Sequence, residues 1–419
     1  MTLAAAFGWR QGVAYGLLGL PLAFVALPLY VLLPNHYARE FGMPLAALGG
    51  VLLGARLLDA LIDPWIGRLS DRLFARSPRA VLTMAAAAAL VLAAGFALLF
   101  FPAVRGTDAL LAWAAVALVI TYAAYSALSV SHQAWGAMLG GDEAMRSRIV
   151  AWREALGLVG VLLASALPSL LGLPVTAGAL AALLMLGWLA WRQAPVPQPA
   201  AHAQPHNLWQ PFARPAFRRL LAVFVLNGIA SAVPATLVLF FVQDRLQASA
   251  QMEPAFLGVY FLCAALCIPL WLRAVAHFGL ARCWLVGMLL SVAVFVWAAG
   301  LRAGDTTAFL AVCALSGVAL GADLALPGAL LAGVIARAGD RGQAEGAYFG
   351  WWNFATKLNL ALAAGLALPL LGWFGYAPGA RDAQALQALV IAYCVLPCVL
   401  KLAAAALLYF NLQHFRESP

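Results

Sequence analysis

Charged residues are scarce in this chain. They make up 10% of its 419 residues, whereas hydrophobic residues make up 65% and the mean hydropathy is +0.91. This composition excludes a soluble globular protein, because about a quarter of the residues of a soluble domain are charged. Short segments of alternating polarity are also lacking, which excludes a transmembrane β-barrel. The composition therefore indicates a helical membrane protein with several spans.

Features of catalytic and metal-binding proteins are equally scarce. The six cysteines form no CxxC pair and show no metal-ligand spacing, so we interpret them as reduced packing residues. No nucleophile–base pair is recognisable, and we expect neither an enzyme nor a cofactor, only a coupling ion. The net charge of +9 does not indicate a nucleic-acid partner, because the basic residues are concentrated in short loops.

Long apolar runs recur along the whole chain, and each is long enough to cross a bilayer. We predict about twelve spans, at residues 12–35, 45–68, 80–102, 109–134, 149–171, 173–193, 217–242, 255–275, 282–301, 308–335, 346–372 and 385–411. Residues 194–215 are rich in proline, so we expect a cytoplasmic linker there. The predicted organisation is a six-helix half over 1–193, this linker, and a second six-helix half over 216–419.

The basic residues predict the orientation in the membrane. Sixteen of them fall in segments on the side of the two termini, and five fall in the opposite loops. The positive-inside rule then places both termini in the cytoplasm, in a plasma membrane of the bacterial inner-membrane type. Two six-helix halves joined by a cytoplasmic linker indicate the major facilitator fold, whose halves are parallel repeats. We expect the protein to function as a monomer in the lipid bilayer.

The second predicted span carries three ionisable residues, Arg56, Asp59 and Asp63. Ionised groups in hydrocarbon are costly unless they pair or line a wet cavity, so they usually mark a functional site. Their i+3 and i+4 spacing puts all three on one helix face. Two carboxylates and one guanidinium on one face predict a proton or cation site. The alternative is an ion pair that only fastens two helices.

Three further ionisable residues lie deep in predicted spans. Arg153 and Glu154 are adjacent and point about 100° apart on a helix, so we expect only Arg153 to face the cavity. Glu154 would then pair with an arginine at the cytoplasmic edge. Lys357 in the eleventh span needs a carboxylate or water, and we predict that it pairs with Asp59 and Asp63 and competes there with an entering cation.

The tenth and twelfth spans also carry buried charge. Asp323 lies between Gly321 and Pro327, which indicate a locally broken helix, and it either binds substrate or caps exposed backbone. Lys401 in the last span is interpreted as structural, with a stem that snorkels to the interface.

The fourth span ends in a polar stretch at helical spacing, formed by Tyr122, Ser126, Ser129, His132 and Gln133. Aromatic rings beside hydroxyl and amide groups suit a hydroxylated or amphipathic ligand. His132 is also of a type that titrates near neutral pH. The alternative is hydrogen bonding between helices, which small polar residues commonly provide in membranes.

The motif Arg56-x-x-Asp59-x-x-x-Asp63-Pro64, followed by Gly67 and Ser70-Asp71-Arg72, matches the helix-two pattern of a known family. Trp135, Arg153, the Asp323-x-x-x-Pro327 segment, Trp352, Asn353 and Lys357 also fall where that family has them. Over essentially its whole length, the chain resembles the glycoside–pentoside–hexuronide:cation symporters, the melibiose-permease branch of the major facilitator superfamily. The resemblance implies that Asp59 and Asp63 bind the cation, with Arg56, Arg153 and Lys357 as charge partners near the cavity. The candidate lining of the substrate cavity is Tyr122, Ser126, Ser131, His132, Gln133, Asp323, Trp352 and Asn353.

The chain departs from this family at four places. Ile62 and Leu128 replace neutral oxygen ligands of the sodium-coupled members, which favours a proton over sodium. Residues 19–23 contain no acid, and Ser131 replaces a helix-four aspartate, so both galactoside-binding carboxylates are missing. The wider family includes lysolipid transporters that keep the helix-two aspartates.

We therefore expect a cation-coupled symporter that works by alternating access on a sugar, a glycoside or a related small organic solute. A transporter of lysophospholipids or other amphipathic molecules is the alternative, and a non-transporting membrane sensor is a third class. A channel is disfavoured, because the two-half plan offers a few buried charges rather than a continuous polar pore.

Overall fold

All the regular structure in the described residues is helical. The computed structural model describes residues 7–197, 207–249, 252–376 and 379–415. The first long helix, α1, comprises four consecutive helical pieces, Trp9–Gly16, Gly19–Leu27, Pro28–Leu32 and Leu33–Glu40. The others are α2 Leu45–Arg76, α3 Pro78–Phe100, α4 Thr107–Leu139, α5 Glu143–Pro168, α6 Leu170–Trp191, α7 Pro215–Arg245, α8 Glu253–Phe278, α9 Leu280–Ala298, α10 Thr306–Arg337, α11 Glu345–Trp373 and α12 Ala383–Phe410.

Ten helices within the described residues are long and apolar enough to cross a bilayer. They do not include α2 and α11, which the sequence counts among its twelve predicted spans. Both helices are present, and α2 continues eight residues beyond its predicted end at residue 68, to Arg76. The all-helical membrane fold predicted from the composition is thus confirmed.

A glycine interrupts the helical path within the first turn of α6. The helical path from Glu143 to Trp191 is interrupted at Gly172, whose φ is +82°. Residues with a side chain rarely adopt this conformation, so glycine is needed here. The sequence places the break between its fifth and sixth spans at the same residue.

The helices group into two compact units. The first comprises Met1–Ala213 with Ile335–Phe354, and the second comprises Arg214–Val334 with Ala355–Pro419. The first unit therefore includes the start of α11. Part of the predicted linker, residues 198–206, lies outside the described residues.

Small residues allow the helices of the first unit to pack closely. A Cβ atom on Gly160 of α5 would lie 2.9 Å from the carbonyl carbon of Leu20 and nearer still to its oxygen. A Cβ atom on Gly157, one turn earlier, would lie 3.5 Å from Ala23 Cβ, an ordinary contact. The crossing of α1 and α5 thus has no room for a side chain at residue 160.

The second unit is packed differently, around aromatic rings. Phe241 and Tyr393 stack with their ring centroids 4.3 Å apart, which joins α7 to α12. Phe256 of α8 meets Phe309 of α10 edge to face at 5.0 Å. These contacts hold four helices around one apolar core.

We predict that Gly160→Ala destabilises the protein and that Gly157→Ala does not. The methyl group at residue 160 would overlap the Leu20 backbone, and overpacking of this kind costs about 1–3 kcal/mol. Thermal unfolding of both purified variants in one detergent measures the difference. Equal melting temperatures for the two variants would show that the close crossing is wrong.

Candidate functional site

The two carboxylates of α2 are buried between helices. Asp59 is 3% exposed and Asp63 is 0% exposed. Ser126 of α4 donates a hydrogen bond from Oγ to Asp59 Oδ1 at 2.9 Å. Both acids therefore occupy the face of α2 that packs on α4, as their spacing predicts.

Arg56 lies one turn before Asp59. Its guanidinium is within electrostatic and hydrogen-bonding reach of the Tyr122 hydroxyl, and Asp59 acts on the same hydroxyl. Arg56, Asp59 and Tyr122 are therefore neighbours, and α4 contributes both Tyr122 and Ser126 to the carboxylate cluster.

Tyr125 connects this cluster to a second group of charges. It lies within electrostatic range of Asp59 and Asp63 and also of Arg153 and Glu154. Tyr125 is not among the residues predicted from the sequence, although its i+3 spacing from Tyr122 puts it near the same face of α4.

Arg153 and Glu154 pair with each other, so the predicted partner of Glu154 is wrong. Arg153 Nη2 lies 2.5 Å from Glu154 Oε1, and Arg153 Nε donates to the same oxygen at 3.0 Å. The two Cα–Cβ directions differ by about 100°, but both side chains are long enough to bend together. Arg153 also reaches the hydroxyl of Tyr15 on α1.

Two polar residues of α4 form hydrogen bonds between helices. Ser131 Oγ donates to Ser70 Oγ at 3.0 Å, which joins α4 to α2. His132 is 0% exposed, its ring stacks on Tyr15 at 4.4 Å, and its Nε2 lies 2.7 Å from the Tyr15 carbonyl oxygen. These contacts agree with the alternative stated for the polar stretch of the fourth span, in which small polar residues form hydrogen bonds between helices.

Gln133 meets residues of α11 within the first unit. Its Nε2 donates to Asn353 Oδ1 at 3.3 Å and to Ser129 Oγ at 3.0 Å. Asn353 Nδ2 is buried and has no hydrogen-bond partner among the described residues. The neighbouring Trp352 is 6% exposed. This pair of amides offers a polar group that a ligand could satisfy.

The start of α11 is held by α2. The carboxylate of Asp71 accepts hydrogen bonds from the amides of Gly346 at 2.6 Å and Ala347 at 2.8 Å, and so caps the helix. Burial raises the pKa of Asp71, which lies beyond the predicted span, well above its ordinary value, and the nearby charge of Glu345 adds to this. A Cβ atom on Gly350 would lie 2.7 Å from the carbonyl oxygen of Asp63.

The second unit contains a buried ion pair that the sequence did not predict. Lys401 Nζ lies 2.9 Å from Asp323 Oδ2, and Lys401 is 5% exposed. Asn227 Nδ2 and Trp284 Nε1 donate to Asp323 Oδ1 at 3.1 and 2.8 Å. The interpretation of Lys401 as a snorkelling residue is therefore wrong, because a carboxylate lies within its reach inside the unit.

Lys357 belongs to the second unit, so its pairing with Asp59 and Asp63 stays a prediction. Within residues 7–197, 207–249, 252–376 and 379–415, no three His, Cys, Asp or Glu side chains form a metal-binding group. The binding of a cation at Asp59 and Asp63 stays a prediction.

Solved structures with the same fold are transporters. A bacterial homologue of the iron transporter ferroportin, in its outward-facing state, superimposes with a TM-score of 0.72 at 14% identity, covering 96% of this chain and 99% of that chain. The Escherichia coli fucose:proton symporter gives 0.66 at 15% identity, covering 94% and 98%. A human organic anion transporter gives 0.63 at 18% identity, covering 95% and 99%. At these identities the likeness establishes the fold.

No curated protein sequence matches the chain with significance. The sequence model of the family described as MFS/sugar transport protein, however, matches residues 12–412. That match spans nearly the whole chain and agrees with the fold. The protein is therefore an integral membrane transporter of the major facilitator superfamily and belongs to its MFS/sugar transport family.

Proposed function

We propose that this protein is a secondary active symporter that couples a cation, preferably a proton, to the uptake of a sugar, glycoside or related small organic solute. The observation that carries the proposal is the burial of Asp59 and Asp63 on one face of α2. We place the transporter in an inner membrane with both termini in the cytoplasm, as the distribution of basic residues indicates.

The cation would act by relieving the repulsion between two buried carboxylates. Ionised Asp59 and Asp63 disfavour each other, and a bound proton or metal cation removes one unit of negative charge. Arg56 and Tyr122 then no longer interact with the full negative charge of Asp59. A ligand shifts a conformational equilibrium by its difference in affinity for the two states, so occupancy of the carboxylates would bias alternating access.

Tyr125 gives the carboxylates an electrostatic link to α5. Its hydroxyl lies within electrostatic range of Asp59 and Asp63 and also of Arg153 and Glu154. A change of charge at α2 would therefore alter the electrostatic environment of a group that is also influenced by the α5 ion pair. We assign Arg153 the role of a charge partner that acts through Tyr125 and Glu154.

A proton fits this site better than sodium. Sodium needs several oxygen ligands, and Ser126 supplies one neutral oxygen beside Asp59. Ile62 and Leu128 supply none. A proton needs only one carboxylate oxygen, and the second aspartate can share or accept it.

The proposed substrate class follows from the family and from the polar groups of the first unit. The matched family is described as sugar transport, and one transporter of the same fold is a fucose:proton symporter. Gln133 and Asn353 offer amides of the kind that bind hydroxyl groups. The missing acids at residues 19–23 and at Ser131 argue against a galactoside and keep lysophospholipids as the alternative.

We predict that a sugar, glycoside or sugar acid raises the melting temperature of the purified protein. The stabilisation should change with pH and should be unaffected by sodium, because a bound ligand stabilises the state that it selects. The panel also contains lysolipids, and each compound is measured at two pH values with and without sodium. Stabilisation by lysolipids alone would contradict the proposed substrate class. Stabilisation that depends on sodium would contradict the proposal that the coupling ion is a proton.

We predict that Asp59→Asn and Asp63→Asn each abolish coupled accumulation of the stabilising solute. Either change removes a carboxylate on which the cation depends, so the accumulation ratio in proteoliposomes should fall to about one, the value without coupling. The matched control is Asp108→Asn, because Asp108 is exposed in the first turn of α4. Accumulation at the wild-type ratio in the Asp59→Asn, Asp63→Asn double variant would contradict the proposal.

A further inference from the structure

The second unit contains a partly open cavity of about 280 Å³ between α7, α8, α9, α10 and α12. Aromatic rings form much of its wall. Phe309 is held edge to face by Phe256, and Phe295 packs against Tyr393 with ring centroids 5.6 Å apart. An apolar cavity with preformed aromatic walls and a few polar groups is typical of a small-molecule site.

Asp323 is the acidic group of this cavity, and its oxygens are already occupied. Oδ1 accepts hydrogen bonds from Asn227 and Trp284, and Oδ2 accepts from Lys401 and, at 3.4 Å, from Ser231. A ligand cation could bind Asp323 only by displacing these donors. The carboxylate is therefore a fixed part of the wall.

Lys401 is the group that can still bind. An ammonium group carries three protons. Among the described residues, Lys401 Nζ donates to Ser231 Oγ at 2.8 Å and to Asp323 Oδ2 at 2.9 Å. One N–H thus remains for a hydrogen-bond acceptor inside the cavity that Lys401 lines.

The charge balance determines which ligand fits. Asp323 and Lys401 neutralise each other at 2.9 Å. A charged ligand would bring an uncompensated charge into an apolar cavity, which is costly. An uncharged molecule with one acceptor for Lys401 and a ring for the aromatic walls avoids that cost.

We propose that this cavity is a separate ligand site, which binds an uncharged, ring-bearing molecule with a carbonyl or hydroxyl oxygen that accepts a hydrogen bond from Lys401. The second unit alone forms the site. It does not depend on the cation coupling at Asp59 and Asp63, and its test measures binding rather than transport.

Three small probes separate the parts of the proposal. Acetophenone carries a ring and one carbonyl acceptor, ethylbenzene has the same shape without the acceptor, and benzoate adds a negative charge. Binding to the full-length protein is followed by isothermal titration calorimetry and by thermal stabilisation. We expect acetophenone to bind about tenfold or more tightly than ethylbenzene, because a hydrogen bond to a charged group is gained. Benzoate should bind more weakly than acetophenone.

The variant Ala319→Leu tests whether acetophenone binds in this cavity. Ala319 lines the cavity and is 3% exposed, so the larger side chain should fill the space and abolish acetophenone binding. Ala314→Leu on the same helix is the matched control, because Ala314 does not line the cavity. Both variants are compared at equal micelle concentration, so partition of the probes into detergent cancels.

Three results would overturn the proposal. The first is equal affinity for ethylbenzene and acetophenone. The second is acetophenone binding that is as strong in Ala319→Leu as in Ala314→Leu. The third is no binding of acetophenone up to its solubility limit. If Ala319→Leu fails to fold, the Lys401→Met, Asp323→Asn double variant replaces it. That variant keeps the pair neutral and should lose the preference for acetophenone over ethylbenzene.

Discussion

An ionised side chain in an apolar helix must find its partners inside the protein, and both compact units depend on this constraint. In the first unit, Asp59 accepts a hydrogen bond from Ser126, and Arg153 is paired with Glu154. In the second, Asp323 is paired with Lys401. The Asp59–Ser126 hydrogen bond and the Asp323–Lys401 pair each join two helices that are distant in sequence. A cluster whose charge a ligand can change is suited to coupling, which is the role proposed for Asp59 and Asp63.

Several features could be predicted from the sequence because they depend on local periodicity. Apolar runs long enough for a bilayer predict the helices, and the gap between the fifth and sixth predicted spans falls at Gly172, where the structure has its break. The i+3 and i+4 spacing puts Asp59 and Asp63 on one face, and the structure buries both. The family match confirms the superfamily, whereas the melibiose-permease branch stays a prediction.

Two other features depend on contacts between segments far apart in sequence and a third depends on side-chain conformation, and all three were missed. Lys401 and Asp323 are 78 residues apart, and no local pattern shows that α10 and α12 bring them together. The charges near Tyr125 come from α2 and α5, so its electrostatic environment depends on the packing of three helices and is not visible in the sequence of α4. The pairing of Arg153 with Glu154 depends on the bending of two long side chains, which helix geometry alone does not determine.

The central claim is that the α2 carboxylates take up the coupling proton, and infrared difference spectroscopy tests it most directly. Wild-type protein and the Asp59→Asn, Asp63→Asn double variant are compared in lipid bilayers between acidic and alkaline buffer, with and without sodium. We expect a protonated-carboxyl component in the wild type that is missing from the double variant, whereas the contribution of Asp71, whose pKa is also raised, remains in both. An undiminished band in the double variant, or a wild-type carboxylate signal that responds only to sodium, would contradict it.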